Sequence, residues 1–352
     1  MMSPVGAAGA TAGTGIVAGT TAPPTAAAGT GASGTSSATA TAGKQADPPS
    51  GAAGKPAATG GTGASGTGAA VAGMPATMGG MAGAPAGMAG MNGAAAGMGA
   101  MPPAIAGALP NVTTTEGMGP WKGVMKMKNV GPGGWLIYPT EIGKDGTKHP
   151  LFVFGPGGGT TPQTYEDSGK HWDYYGSYGF VIYAVQMSGQ SGAPMKAAID
   201  WLIKQNTEAG SPLMGKLDTT KICAAGHSMG SVMTFAAMPD ERVTTTIHIS
   251  GGSFDGMGPS KLKNDTMFLC GPESSGDPAY AQCERDFMVS KVPTFYTIIK
   301  GSDHLTSGRL GWPAITAWML WHLAGHEEWK KEFLDPAGKF RMGMYMSQVK
   351  GF

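Results

Sequence analysis

LDTTKICAAGHSMGSVMTFAA, residues 217–237, is the stretch on which the reading of this chain turns. Its first part, KICAA at 221–225, is compact and apolar enough for a buried parallel strand, and SVMTFAA at 231–237 is small and apolar enough to pack beneath it as a helix. Between them, Gly226-His227-Ser228-Met229-Gly230 reads as a nucleophile elbow, a strand-to-helix turn so tight that Ser228 is held clear of the backbone. Both glycines are needed there because a Cβ at either position would clash. The pattern alone says little in a chain with 60 glycines, where chance supplies roughly 0.6 such matches. The flanking segments carry the assignment.

Outward from the elbow, apolar runs alternate with helix-like segments. WLIYP (135–139) reads as an outer strand and LFVFG (151–155) as an inner one, followed by the loop PGGGTTPQT. FVIYAV (180–185) is a further strand, and PMKAAIDWLIKQN opens a helix at Pro194 with Ala197, Ala198, Trp201 and Leu202 on one face. Strands are expected at TTTIHIS (244–250), TMFLCG (266–271) and VPTFYTIIKG (292–301), with an apolar closing helix over 312–324. This alternation predicts an α/β domain with a doubly wound, mostly parallel sheet. In such sheets the active site forms at the carboxyl ends of the strands.

Composition divides the chain. Among the first 110 residues only Lys44, Asp47 and Lys55 are charged. Runs such as GASGTSSATATAG and GGMAGAPAGMAGMNGAAAGMGAM lack aromatics and large aliphatics at any steady period. Burying such residues cannot offset an ordering cost of about 1–2 kcal/mol each. Residues 1–112 therefore read as a disordered, low-complexity Gly/Ala/Thr/Met-rich tether, and 113–352 as the catalytic domain. The methionines of 74–101 are soft ligands in principle, but no His or Cys accompanies them, so they read as linker composition.

Setting aside the charges of the tether leaves 22 basic and 22 acidic residues, a balance that gives nucleic acid no purchase. No apolar run reaches the ~18 residues of a membrane span. The opening MMSPVGAAGATAG has neither a basic n-region nor an apolar h-region. A neutral tether of this length is nonetheless what joins an envelope anchor to an extracytoplasmic domain, so a secreted or envelope-tethered location is the expectation. Of the three cysteines, Cys223 falls in the strand before the elbow and reads as a small buried hydrophobe. Cys270 and Cys283 bracket GPESSGDPAYAQ, and a bridge between them would suit an oxidising compartment.

A serine nucleophile needs a base, and the base needs an acid to fix its tautomer and stabilise the imidazolium. With an elbow of this type the chain order is serine, acid, histidine. Of the histidines, His304 stands in the polar loop GSDHLTSG directly after a strong strand, and is the expected base. His227 sits inside the elbow, His248 in a buried strand, and His322 and His326 in the terminal helical region. For the acid, Glu273 follows TMFLC closely, with Asp277 as the alternative in the same loop; Glu273 is preferred. Asp303, adjacent to His304, would point elsewhere. The developing oxyanion needs backbone donors. The Met229 N–H is one, and Gly158 of the Gly157-Gly158-Gly159 triplet is expected to supply the other.

These pieces together resemble the polyester hydrolase and cutinase-like branch of the α/β-hydrolases, including bacterial enzymes that cleave poly(ethylene terephthalate), with dienelactone hydrolases more distant. The resemblance runs from about residue 134 to 333. It rests on GHSMG at 226–230 preceded by LDTTKI, on Pro156-Gly157, on Tyr178-Gly179-Phe180, on FLCGPES, on GSDH, and on AWMLWHLAG followed by WKKEF. It implies an α/β-hydrolase fold and a serine esterase with Ser228, His304 and Glu273, the last where an aspartate is usual. It further implies Met229 and Gly158 as the oxyanion hole, Gly157, Gly159, His227 and Phe254 near the substrate, no metal or cofactor, and a monomer acting on small or polymeric esters. The chain departs from the family where Gly158 replaces an aromatic and where ISGGSFDG offers Phe254 but no tryptophan. The family's cysteine after the catalytic histidine is missing too, so Cys270 pairs with Cys283 or stays free.

Two functions follow. One is ester hydrolysis by this triad, with lactone hydrolysis or acyl transfer as variants of the same chemistry. The other is a catalytically inactive binding module on a hydrolase scaffold, suggested by glutamate at the acid position and the missing aromatic clamps. Tyr165, Trp172, Tyr174 and Tyr175 could wall a substrate cleft, though core and rim packing is the preferred role for most of them.

Overall fold

Side chains of the inner strands are largely buried on both faces and mostly apolar, with buried threonines and His248 among them, which suits a sheet covered by helices on each side. In β3 (His149–Gly155), Phe152 and Phe154 enter one core while Leu151 and Val153 enter the other. The structure, a computed structural model, describes residues 107–187 and 189–352. Most of the expected tether, including the methionine-rich 74–101, lies outside the described residues. The expected domain start at 113 is too late. Leu109 is buried, the Gly107 carbonyl accepts a hydrogen bond from the Lys148 N–H at 2.8 Å, and the Leu109 carbonyl lies 3.2 Å from His326 Nε2. Leu109, with Val112 packed against the same core, docks that segment on the body.

Before β3 come β1 (Val124–Val130) and β2 (Gly134–Pro139). After it follow α1 (Pro162–Asp167), α2 (His171–Ser177), β4 (Val181–Ala184), α3 (Ala193–Gln205), β5 (Leu217–His227) and α4 (Met229–Ala237). Then come β6 (Thr245–Ile249), β7 (Thr266–Cys270), α5 (Tyr280–Val289), β8 (Thr294–Ile299), α6 (Ser307–Leu310), α7 (Trp312–Ala324), α8 (Lys330–Leu334) and β9 (Tyr345–Lys350). The strands form one nine-stranded sheet in the order β1-β2-β4-β3-β5-β6-β7-β8-β9. Strands β3 to β8 run parallel, while β1, β2 and β9 pair antiparallel at the margins.

Helices α3, α4 and α5 supply Met195, Ile199, Met233, Phe235 and Phe287 to one core, and α2 and α7 supply Trp172, Tyr175, Trp318 and Leu320 to the other. The buried face of α3 is Met195, Ala198, Ile199 and Leu202. Ala197, expected on that face, is exposed, because the stripe follows Met195 one turn earlier. Trp172, Tyr174 and Tyr175 are core residues, and none of them lines the cleft beside Ser228.

The chain moves from β3 outward to β4 on one side and to β5 on the other. The carboxyl ends of β3 and β5 are therefore neighbours across a topological switch point, where parallel sheets leave an open crevice. The register pairs Gly155 with Gly226, so the glycine loop that leaves β3 lies beside the turn that leaves β5.

Candidate active site

The turn between β5 and α4 places one residue, Ser228, at φ 54° and ψ −117°. A non-glycine residue held at positive φ costs about 1–3 kcal/mol and persists only where its surroundings over-determine it. Here they do. The Ser228 N–H donates to the Ile249 carbonyl at 2.9 Å, and its own carbonyl accepts from the Ser231 N–H at 2.9 Å. A Cβ on Gly226 would lie 2.0 Å from the Gly230 carbonyl oxygen, and one on Gly230 would lie 2.0 Å from that of Gly155. The two glycines let strand, turn and helix pass through the same small volume, as the sequence predicts.

Ser228 Oγ lies 3.0 Å from His304 Nε2, and His304 Nδ1 lies 2.9 Å from Asp277 Oδ1. Because an ionised carboxylate only accepts, Nδ1 carries the imidazole proton, and the bare Nε2 is left to accept from the serine hydroxyl. His304 is held in the loop after β8. Asp303, beside it, turns away to accept from the N–H groups of Leu305 and Thr306 at 2.9 and 2.8 Å, which folds the loop and presents the imidazole.

The carboxylate that reaches His304 is that of Asp277 and not that of Glu273, the residue expected there. Beyond Cys270 the chain swings out through a short 3-10 turn, Glu273–Ser275, and reverses at Gly276 with φ 72°. Glu273 is exposed on that turn. Asp277 comes back beneath the end of β7, where the Gly271 N–H donates to its Oδ2 at 2.9 Å. The Ala279 N–H donates to Oδ1 at 2.9 Å and Ser250 Oγ to Oδ2 at 2.8 Å. Burial pushes the Asp277 carboxyl up, but the bonds from His304, Ala279, Ser250 and Gly271 outweigh it and hold it below the usual carboxylate range. Its side chain is fully buried, whereas His304 is 24% exposed.

Cys270 and Cys283 are bridged, with Cα atoms 6.7 Å apart, and so close the loop that carries Asp277. Cys223 is a free, buried thiol in β5, as expected.

Ser228 and His304 open onto a cleft of about 140 Å³, with Met229, Val232, Phe254, Ala279 and Gln282 among its walls. Phe254, 55% exposed, stands at its rim. The loop bearing it is clamped from α5: the buried Asp286 accepts from the Ser253 N–H at 2.5 Å and from Ser253 Oγ at 2.9 Å. Arg285 pairs with Asp286 at 2.8 Å and also donates to the Ser253 carbonyl. Neither this clamp nor Ser250, at φ 37° directly after β6, is suggested by the sequence reading. The paired glycines Gly251-Gly252 that follow are the only signal of a special turn there.

The glycine loop lies beside Ser228, where a Cβ on Gly157 would come within 3.5 Å of the Ser228 Cβ. The Gly157 N–H is committed to the Tyr165 hydroxyl at 2.8 Å. The N–H groups of Gly158 and of Met229, in the first turn of α4, have no hydrogen-bond partner among the described residues. A Cβ on Gly158 would stand 3.6 Å from Met229 Cβ, so the two free donors belong to adjoining stretches of backbone. Gly159 is exposed at φ 71° with nothing within 4 Å of a Cβ; it makes the turn and stands outside the cleft lining. His227 is corrected likewise. Its ring turns from the cleft toward Tyr165 and the His304 backbone, and burial lowers its pKa to about 4 despite the His304 carbonyl bond.

His248 is fully buried, accepts or donates to Ser231 Oγ at 2.8 Å, and is stacked 3.9 Å from Phe235; burial takes its pKa to about 3. His322 is half-buried, and burial brings its pKa near 3 as well. Both are structural.

The constellation can accept a proton from a serine hydroxyl, hold the resulting imidazolium against a buried carboxylate, and offer backbone donors beside Ser228. Among known proteins, no family model matches the chain and no curated protein matches it. Among the described residues, no helix is long and apolar enough to cross a membrane, and no group of three or more His, Cys, Asp or Glu side chains could hold a metal ion.

Proposed function

We propose that this chain is a serine esterase with the α/β-hydrolase fold, acting through Ser228, His304 and Asp277. The observation that carries the reading is the unbroken hydrogen-bonded series from Ser228 Oγ through His304 to Asp277, built on a strained elbow at the carboxyl end of β5. Ser228 Oγ attacks the ester carbonyl carbon as its proton passes to His304 Nε2. The carbonyl oxygen becomes an oxyanion that faces the N–H groups of Met229 and Gly158, each worth about 3–4 kcal/mol in such a role. The tetrahedral intermediate then collapses, and His304 returns the proton to the departing alcohol. Water, deprotonated by the same imidazole, hydrolyses the acyl-serine and releases the acid.

The cleft lining holds no Lys, Arg, Asp or Glu, which supports neutral esters as substrates. At about 140 Å³ it takes one small acyl or alkoxy group, with the remainder of the substrate lying over the rim near Phe254. Polyesters fall within the same chemistry. The Cys270–Cys283 bridge supports action in an oxidising, extracytoplasmic setting. The alternative of an inactive binding module draws on a glutamate in the acid position and on the missing aromatic clamps; Asp277 beside His304 removes the first of these and leaves the second, and the esterase reading is preferred.

Hydrolysis of short-chain p-nitrophenyl esters is the direct assay. Ser228→Ala should lower kcat by about 10⁶-fold, and a fluorophosphonate should label Ser228 alone. Failure to turn over any acyl length, or labelling at another residue, overturns the reading.

A further inference from the structure

Behind Ser228 runs a series of hydrogen bonds that the proposed chemistry does not use directly. The Gly157 N–H donates to Tyr165 Oη at 2.8 Å, Tyr165 Oη lies 2.8 Å from His227 Nδ1, and His227 Nε2 lies 2.8 Å from the carbonyl oxygen of His304. Only one proton arrangement satisfies every atom. The His304 carbonyl can only accept, so His227 carries its proton on Nε2; Nδ1 is then bare and takes the Tyr165 hydroxyl proton, leaving the Tyr165 oxygen to accept from Gly157. The series thus begins on the loop that carries Gly158 and ends on the loop that carries the imidazole of His304, and its middle member is the residue just before the nucleophile.

We propose that Tyr165 and His227 are positioning residues, a strap that holds the glycine loop and the histidine loop in register on either side of Ser228. The proposal rests on the esterase reading above. Three features of the surroundings favour it. First, the Tyr165 hydroxyl takes the Gly157 N–H and leaves the next one, on Gly158, without a partner, so it fixes which donor is free for the oxyanion. Second, the ring of Tyr165 is wedged by Phe154 at 5.1 Å, His171 at 5.2 Å and Trp172 at 5.9 Å between centroids, so its hydroxyl has little freedom to wander. Third, a Cβ on Gly157 would come within 3.0 Å of His227 Nδ1; the glycine is what lets the loop approach the strap.

The titratable or charged groups around His227 are Tyr165, His171, His304, Asp277 and, across a small cavity, Arg309. Burial holds His227 and His171 neutral, with pKa values near 4 and 3, and burial raises that of Tyr165, so the hydroxyl keeps the proton it donates.

Tyr165→Phe removes only the hydroxyl and keeps the ring packing. It should lower kcat by about tenfold with KM little changed, because the lost contact orients a donor used in the transition state and not in the ground state. His227→Gln retains a donor for the His304 carbonyl and should lose less than His227→Leu. The double variant Tyr165→Phe/His227→Gln should fall no further than its worse single parent, since each cut severs the same series. The nitrogen-15 spectrum of histidine-labelled protein reads the geometry independently and should give His227 as the neutral Nε2–H tautomer at pH 7. An active wild type whose Tyr165→Phe variant keeps full kcat overturns the strap alone, as does an Nδ1–H tautomer at His227. An inactive wild type overturns the esterase reading and the strap together.

Discussion

The loop after β7 and the loop after β3 flank the same serine and are held in opposite ways. The β7 loop delivers a charge. Its carboxylate is fully buried and met by donors from Gly271, Ala279, Ser250 and His304, and a disulfide closes the loop at its base. The β3 loop delivers a backbone N–H. It carries glycines in place of side chains, and its side-chain anchors are hydroxyls: Tyr165 on the Gly157 N–H, Thr160 on the Gly157 carbonyl and Thr164 on the Thr161 N–H. A buried charge has to be surrounded because an unpaired one would neutralise or unfold the site. A backbone donor has to be approached closely, so the protein clears side chains away and borrows its rigidity from elsewhere.

The largest expected effect tests whether the β7 loop serves His304 through one carboxylate. Asp277→Asn should leave the fold intact but lower kcat by about 10⁴-fold, as the amide permits the wrong imidazole tautomer. Glu273→Gln, four residues earlier, should change neither kcat nor KM measurably. A strong loss in the second variant with none in the first would reverse the assignment of the acid and remove the basis of the comparison.

The next effect is on stability. The Cys270–Cys283 bridge closes a separation of 13 residues, and its removal by paired Cys→Ser substitution should cost about 2–4 kcal/mol in urea unfolding. If the bridge also steadies Asp277, kcat should fall in the folded double variant, whereas equal kcat would mean that the donors alone suffice. On the β3 side, Gly230→Ala forces a Cβ to 2.0 Å from the Gly155 carbonyl oxygen, and about 1–3 kcal/mol of destabilisation is expected by thermal melting. Gly158→Ala, whose nearest contact would be Met229 Cβ at 3.6 Å, should melt as the wild type does.

The sequence discloses these two regions unequally. Inner strands β3 to β8 are legible because both of their faces are buried and read as apolar runs. Of the margins only β2 is legible, as the outer strand WLIYP: VMKMKNV of β1 and YMSQVK of β9 are half exposed and lack such runs, so the two edge strands go unseen. The elbow and His304 are legible because steric need fixes glycine there and because a polar loop after a strong strand is uncommon. The acid is not. Distance along the chain favours Glu273, whereas a turn closed by Gly276 brings Asp277 back to the strand end in space. His227 is visible as a residue of the elbow, but sequence carries no sign of which way its ring turns. The hydrolase fold itself is an expectation of the resemblance, while the mostly parallel α/β sheet is what the chain forms.

The smallest effect concerns Ser250, the donor to Asp277 that the sequence hides. Ser250→Ala keeps the Cβ and the φ of 37°, so backbone strain is unchanged and only the hydroxyl is lost, to Asp277 and to Ser307 alike. A hydrogen bond to a charged group is worth about 1.5–3 kcal/mol; with the other donors still in place, about 1–2 kcal/mol should be lost at pH 7. The sign of the pH dependence follows from the depressed carboxyl of Asp277. A folded-state value below the unfolded one contributes stability that is fully present above the unfolded pKa of about 4 and disappears as pH falls through the folded value. Losing Ser250 Oγ moves the folded value back toward the ordinary one. The gap between wild type and variant should therefore be widest near neutrality and close on acidification. A gap that stays constant between neutral and strongly acidic pH would mean that the hydroxyl serves the packing of Ser307 and not the charge, and that the β7 loop is held less by its carboxylate than the comparison requires.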